Sequence, residues 1–185
     1  MNTVLITSLA VGSDAASAVE GALRPARGRG TLRVLAPESA EIRPCLACSR
    51  CSATGRCVLP DAMSEILPEI ASCDLLVLAT PIVFGVHHPR MKKAVDRFLP
   101  LAGDRFAIRQ GEMHHRPRYD KRFALLGIGQ LEPTAAPGEA ETFERLIGRH
   151  AVNLACFRHA TVLLRDDSDV ERAVRDGLGR LGVER

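Results

Sequence analysis

Two glycine patterns are missing from this chain of 185 residues: it has no G-x-x-x-x-G-K-[ST], and no G-x-G-x-x-G that follows a strand and opens a helix, since the one match, Gly177 to Gly182, falls inside the last helical pattern. Their absence excludes the dinucleotide fingerprint of a Rossmann unit and the phosphate cradle of a P-loop. Charge of one sign is scarce as well. Twenty-five Lys and Arg against 22 Asp and Glu leave a net charge of +3, spread along the chain. That balance slightly favours acidic partners or anionic cofactors and lacks the footprint of a nucleic-acid binder. Long hydrophobic runs are absent too. Leu75 to Val86 is broken by Pro81 and Gly85 and is too short to span a bilayer. Thr3 to Val11 is apolar, but no basic n-region precedes it and it stops at Gly12-Ser13-Asp14, so no secretion signal is expected. Repeats, low-complexity tracts and linkers are also lacking. With 46% hydrophobic and 25% charged residues, the expectation is a soluble single domain over 1–185 with one full core.

What is present alternates. Thr3–Ser8, Thr31–Leu35, Asp74–Thr80, Arg122–Gly127 and Ala160–Leu164 read as strands, several of them apolar throughout. Between them lie helical patterns. Ser13 or Asp14 caps a helix carrying Ala16, Val19 and Leu23, ended by Pro25 and Gly28-Arg29-Gly30. Asp61 caps one with Met63, Ile66, Leu67 and Ile70 inward, bent at Pro68. Pro89 opens another, with Met91, Val95, Phe98 and Leu99 as its inner stripe. A helix from about Glu139 buries Phe143, Leu146, Ile147 and Leu154, and Ser168-Asp169-Val170-Glu171 is a capping box for the last. Ala102 to Lys121 and Gly127 to Gly138 read as loops. Strands this uniformly apolar, alternating with helices, require a parallel sheet covered on both faces. Ligands in such an α/β fold sit at the carboxyl ends of the strands.

The densest chemistry is Cys45, Cys48, Cys51 and Cys57, a C-x2-C-x2-C-x5-C pattern in a loop spanning 43–60. Thiols at this spacing can curl around one corner of a metal centre, and Gly55 can take φ > 0 so that Cys57 returns as fourth ligand. The spacing is close to that of bacterial ferredoxins, where four irons each need a thiolate. Zinc, which more often uses two pairs a dozen or more residues apart, and unmetallated thiols are the alternatives. Arg43, Arg50 and Arg56 flank the ligands and can offset their charge. Cys73 and Cys156 lie in apolar surroundings and read as inert core thiols. A cysteine set too crowded for distant disulfides points to a reducing, cytoplasmic compartment.

Two further loops open at the carboxyl edge. The first, carrying Ser8 and Ser13, joins a buried strand to a helix N-terminus, where free N–H groups favour a phosphate. In the second, Pro81 stops the strand, Gly85 lets a flat ring approach, and Phe84 offers an aromatic face. Within Pro81-Ile82-Val83-Phe84-Gly85, the backbone N–H groups that follow the proline can bond the polar edge of a flavin. The loop that opens with Gly127 and Gly129 lies on the same edge.

Cys45 to Met63, together with Ala79-Thr80-Pro81-Ile82-Val83-Phe84-Gly85, Met91-Lys92 and Asp96-Arg97, resembles the iron–sulfur flavoproteins of the flavodoxin-like NADPH-dependent FMN reductase superfamily. Those motifs cover roughly a quarter of the chain, and the element order covers most of it. The resemblance implies a flavodoxin-like, doubly wound, five-stranded parallel sheet in the order 2-1-3-4-5. It also implies FMN, a 4Fe–4S cluster on Cys45, Cys48, Cys51 and Cys57, and a homodimer or homotetramer. The first loop departs from the family pattern: both serines match, but the basic residue is absent, and Asp14 and Ala15 replace Asn and Thr. Val83 replaces the usual aromatic.

The expected function is electron transfer between cluster and FMN, with a ferredoxin-like donor or NAD(P)H on one side and a small-molecule acceptor on the other. No residue stands out as a catalytic acid or base. Alternatives are a NAD(P)H-dependent FMN or quinone reductase with structural or zinc-binding cysteines, and a flavin-free cluster sensor. No nucleic acid and no membrane enter these readings. His87-His88 and His114-His115 read as solvated loop histidines. Arg109, Arg116, Arg118 and Lys121 read as a wet basic surface, with docking of an acidic protein or a nicotinamide phosphate as the functional alternative.

Overall fold

The computed structural model describes residues 1–25, 29–38, 40–166 and 168–183. In chain order the elements are β1 (Asn2–Thr7), α1 (Asp14–Leu23), β2 (Thr31–Leu35), α2 (Arg50–Thr54), α3 (Ala62–Ser72), β3 (Leu75–Val83) and β4 (Val86–His87). They continue with α4 (Pro89–Val95), a 3-10 helix (Asp96–Leu101), β5 (Ala102–Arg109), β6 (Glu112–Pro117), β7 (Ala124–Gln130), α5 (Glu139–Asn153), β8 (His159–Leu164) and α6 (Val170–Leu181). Gly28, expected to help end α1, lies outside the described residues.

The central sheet runs β2-β1-β3-β7-β8, with every neighbouring pair parallel. Among the elements read from the sequence, this is the order 2-1-3-4-5. Alternate residues of each strand face opposite sides. Ile6, Leu76, Leu78 and Leu125 meet Met63, Ile66, Ile70, Phe143 and Ile147 from α3 and α5. Leu5, Val77, Leu126 and Ile128 meet Val19, Val174 and Leu178 from α1 and α6. Both faces are therefore packed, which is why these strands are apolar without alternation.

Several boundaries differ from the expectation. Residues 81–83 belong to β3, which turns back through Phe84 and Gly85 into β4. Residues 102–117 are an antiparallel hairpin, β5–β6, not a loop, reversing at Gln110-Gly111. The fourth core strand runs to Gln130 and contains Gly127 and Gly129. Both glycines exist for packing: a Cβ on Gly127 would sit 2.4 Å from Ile147, and one on Gly129 would sit 2.6 Å from Ile82 and Phe143. Helix α4 ends at Val95, so Leu99 falls on the following 3-10 turn and is 50% exposed instead of buried. Asp169, not Ser168, caps α6, its carboxylate accepting from Arg172 N–H. No helix among the described residues is long and apolar enough to cross a membrane.

Candidate functional site

The carboxyl end of β3 reverses through two left-handed residues. Phe84 and Gly85 have φ of +52° and +78°, the geometry of a type I′ turn, and Phe84 is 88% exposed at its tip. Gly85 has two reasons to be glycine. Its φ is left-handed, and a Cβ would lie 2.8 Å from Thr142 of α5. The Gly85 N–H donates to Glu139 Oε2 at 3.1 Å, so α5 holds the turn from behind. Of the expected residues, Phe84 and Gly85 form the turn, Pro81 and Val83 flank it half-buried, and Ile82 points into the core.

The β1–α1 loop lies beside it. Ser8 Oγ donates to Thr80 Oγ1 at 2.9 Å, and Thr80 in turn donates to the Pro81 carbonyl. The Ser8 hydroxyl proton is therefore already engaged, and the side chain ties β1 to β3 instead of facing an anion. Ser13 caps α1, its Oγ accepting from Ala16 N–H at 3.2 Å, which leaves its proton free to donate. Gly12, at φ +75°, has open space around it.

The cysteine loop leaves the end of β2 and is anchored on the 3-10 helix and on the end of the β5–β6 hairpin. Ala47 and Ser49 take left-handed φ of +50° and +56°, and Gly55 has the positive φ expected of it, +69°, at the end of α2, a helical turn the sequence did not signal. Ala47 N–H donates to Cys45 Sγ at 3.4 Å. The cations that touch the loop come from far along the chain. Arg118 donates to the carbonyls of Cys51 at 3.2 Å and Ser52 at 2.6 Å, and to Pro100 at 3.1 Å. Arg118 thus leaves the wet basic surface expected there and becomes part of the loop's anchorage, while Lys121 pairs with Asp74 and stays exposed.

Arg97 is the centre of this anchorage. It is 1% exposed, binds Asp61 through two hydrogen bonds of 2.8 and 3.0 Å, and donates to the Arg43 carbonyl at 2.7 Å. Burial alone would lower its pKa, but the Asp61 carboxylate and then the Cys57 sulfur outweigh it and raise the value. Asp61 moves down: burial opposes this, and the Arg97 guanidinium with the Arg43 and Met63 N–H groups overcomes it. Arg97 Nε is buried without an acceptor. The same guanidinium faces the Cys57 sulfur, and a cation against a thiol favours its anionic form.

Among the described residues, no three His, Cys, Asp or Glu side chains converge closely enough to hold a metal ion. The four thiols lie on one loop, Cys48 exposed and the other three half-buried. Cys51 is pushed up by burial first, then by the charges of Cys57, Cys45 and Cys48. Like charges that resist one another in this way are the ones a bound cation relieves. Cys73 is buried and Cys156 half-buried, and desolvation pushes both up to about 12, in keeping with inert thiols.

Two histidines are not the solvated residues expected. His87 is 3% and His114 8% exposed. His87 Nε2 lies 2.9 Å from His150 Nε2, the rings stacked, and burial pushes the pair down to about 3 and about 4. His114 is held between Asn153 and Glu112, each at 3.1 Å. Only the tertiary fold brings His150 to His87, and nothing in the sequence spacing signals it.

A doubly wound parallel sheet with its turns and loops gathered at the strand ends defines a flavodoxin-like α/β protein. The model of one family, described as NADPH-dependent FMN reductase, matches residues 3–132. The chain belongs to that family, a class of flavin-dependent oxidoreductases. An iron–sulfur flavoprotein of Methanocaldococcus jannaschii is 34% identical over 61 residues, 33% of this chain and 32% of that protein. Another, of Archaeoglobus fulgidus, is 30% identical over 102 residues, 52% of this chain and 41% of that protein. The chain thus spans about a third to two fifths of the length of these curated relatives. Among solved structures, a NAD(P)H:quinone oxidoreductase from Methanothermobacter marburgensis is similar at a TM-score of 0.67 and 14% identity, covering 96% of this chain and 97% of the other. General stress protein 14 of Treponema denticola, in complex with FMN, gives 0.57 and 18%, covering 98% and 97%. These structural likenesses carry the fold.

Proposed function

We propose that the protein is an electron-transfer flavoprotein, in which Cys45, Cys48, Cys51 and Cys57 hold a 4Fe–4S cluster and the β1–α1 and β3–β4 segments hold FMN. When bound, the cluster supplies electrons singly and the flavin stores them in pairs for a small acceptor. The chain's own part is binding and tuning. Ser13 and the open backbone at Gly12 face the flavin phosphate, while the Phe84-Gly85 turn, braced by Glu139, presents an aromatic face to the ring. Arg97, Asp61 and Arg118 fix the cysteine loop, and the Arg97 and Arg118 guanidiniums supply positive charge against the thiolates. One observation carries the cluster assignment: a buried guanidinium, paired with Asp61, that faces the Cys57 sulfur at the root of a four-thiol loop. A ferredoxin-like protein or NAD(P)H as donor, and a homodimer or homotetramer, follow from the family resemblance.

Iron, acid-labile sulfide and released flavin, measured on protein purified without oxygen, test this reading. About four irons and one FMN per chain are expected. Cys48→Ala should remove the iron and leave the flavin. Flavin with zinc or no metal would favour a NAD(P)H-dependent reductase with structural cysteines instead. Cluster without flavin would favour a sensor, a reading to which the engaged Ser8 hydroxyl lends support.

A further inference from the structure

One cleft, of about 760 Å3, lies between the cysteine loop, the 3-10 helix, the β5–β6 hairpin and the last turns of α5. Its size is that of a small-molecule site. Phe98, Leu99, Leu101, Phe106, Met113 and Leu154 supply the large apolar side chains of its wall. Of these, Leu99 is 50%, Phe106 53% and Met113 68% exposed, a concentration of open apolar surface that calls for an occupant.

The polar groups decide its chemistry. No lysine or arginine lines the cleft. His115 Nδ1 lies 2.8 Å from the Gly103 carbonyl and must hold its proton there, which leaves Nε2 as an acceptor in the neutral ring. The Asp96 carboxylate, one oxygen of which holds Lys92 at 2.5 Å, is a further acceptor in the lining, and Asn153, whose Oδ1 meets His114, adds an amide donor. A carboxylate in the wall, with no cation among the described lining residues, disfavours phosphates and carboxylates, so neither FMN nor a nicotinamide nucleotide suits this space. Helix α5 separates it from the flavin turn: Glu139 grips Gly85 at one end, while His150 lines the cleft eleven residues later, about 16 Å along the axis.

We propose that this cleft is a second ligand site, for a neutral planar aromatic molecule of one or two rings that carries a hydroxyl or similar donor. The rings lie between Phe98, Phe106 and Leu154, and the donor reaches His115 Nε2 or Asp96. Cys45 forms part of the wall, so the occupant lies against the cysteine loop instead of the flavin turn. Only the meaning of that neighbour rests on the cluster reading.

The test titrates 1-naphthol, followed by its fluorescence, into the full chain, with 1-naphthyl phosphate as the charged counterpart. Saturable binding of 1-naphthol is expected, with the phosphate at least about tenfold weaker. Leu99→Glu and, in case that variant folds poorly, Phe106→Ala should each weaken 1-naphthol about tenfold. Ile108→Glu, on the same hairpin and 71% exposed but outside the cleft, should leave binding and flavin content unchanged. Absence of saturation, equal affinity for the phosphate, or equal loss on Ile108→Glu would overturn the proposal. So would light scattering showing that Leu99→Glu splits an oligomer, since a second copy would then fill the cleft. Iron analysis of the same samples keeps the two readings apart: iron-free protein that binds 1-naphthol refutes the cluster and leaves the cleft.

Discussion

Arg97 and Asp61 form a bidentate ion pair with side-chain exposures of 0% and 3%, and through it the 3-10 helix holds both ends of the cysteine loop. Removing one partner of such a pair leaves the other charge buried and uncompensated, at a cost of about 3–5 kcal/mol. Arg97→Met should therefore lower the urea unfolding free energy by that amount. Arg97→Lys, which keeps the charge and loses the fork, should fall between it and the parent. Because the folded pKa of Asp61 lies below its unfolded value, its contribution is present above the ordinary carboxylate range and is lost as pH falls through the folded value.

A second pH effect lies higher. His87 and His150 are held neutral in the fold, with values pushed down to about 3 and about 4 by burial, then by His150 on His87 and by Lys92 on His150. The unfolded chain takes up protons below pH ~6.5 and the fold does not, so their contribution is complete above that pH and falls as the solution is acidified. At pH ~5 the loss from His87 is about 2 kcal/mol. His87→Phe, set against Phe143 and unable to titrate, should flatten the unfolding midpoint between pH ~7 and ~5, whereas an unchanged slope would contradict the assignment.

Gly127 and Gly129 test packing against ligand binding. Gly127→Ala drives a methyl into Ile147, and overpacking of a tight core costs about 1–3 kcal/mol. Ile147→Val in the same chain should return part of it. Loss of flavin with stability intact would assign these glycines to the cofactor instead.

The turn at Phe84 stores strain, since a phenylalanine at φ +52° is unfavourable where asparagine is tolerated. Phe84→Asn should raise the stability of flavin-free protein by about 1 kcal/mol and weaken FMN several-fold. Calorimetric melting and flavin titration read the two effects separately.

The parallel sheet and its two packed faces were legible in the sequence because buried parallel strands are apolar throughout, as Leu75–Ala79 shows, whereas the strand order came only with the family resemblance. The two hairpins were not. Their turns, Phe84-Gly85 and Gln110-Gly111, lack the Asn-Gly or Asp-Gly that marks a type I′ reversal, and β5–β6 mixes Phe106, Ile108 and Met113 with arginines. Arg97 was visible only as part of a resemblance. Its place beneath the cysteine loop depends on a contact 36 residues away in the chain, which no local pattern encodes. Likewise, Gly127 and Gly129 resemble loop residues until α5 is laid across them.

The unequal burial of the six thiols has a practical consequence. Alkylating reagents attack the thiolate, and at neutral pH Cys73 and Cys156, pushed up to about 12, present almost none. Labelling of the native protein therefore bypasses the interior and reports on the loop alone, so a mass increment counts its free sulfurs directly without colour, iron or turnover.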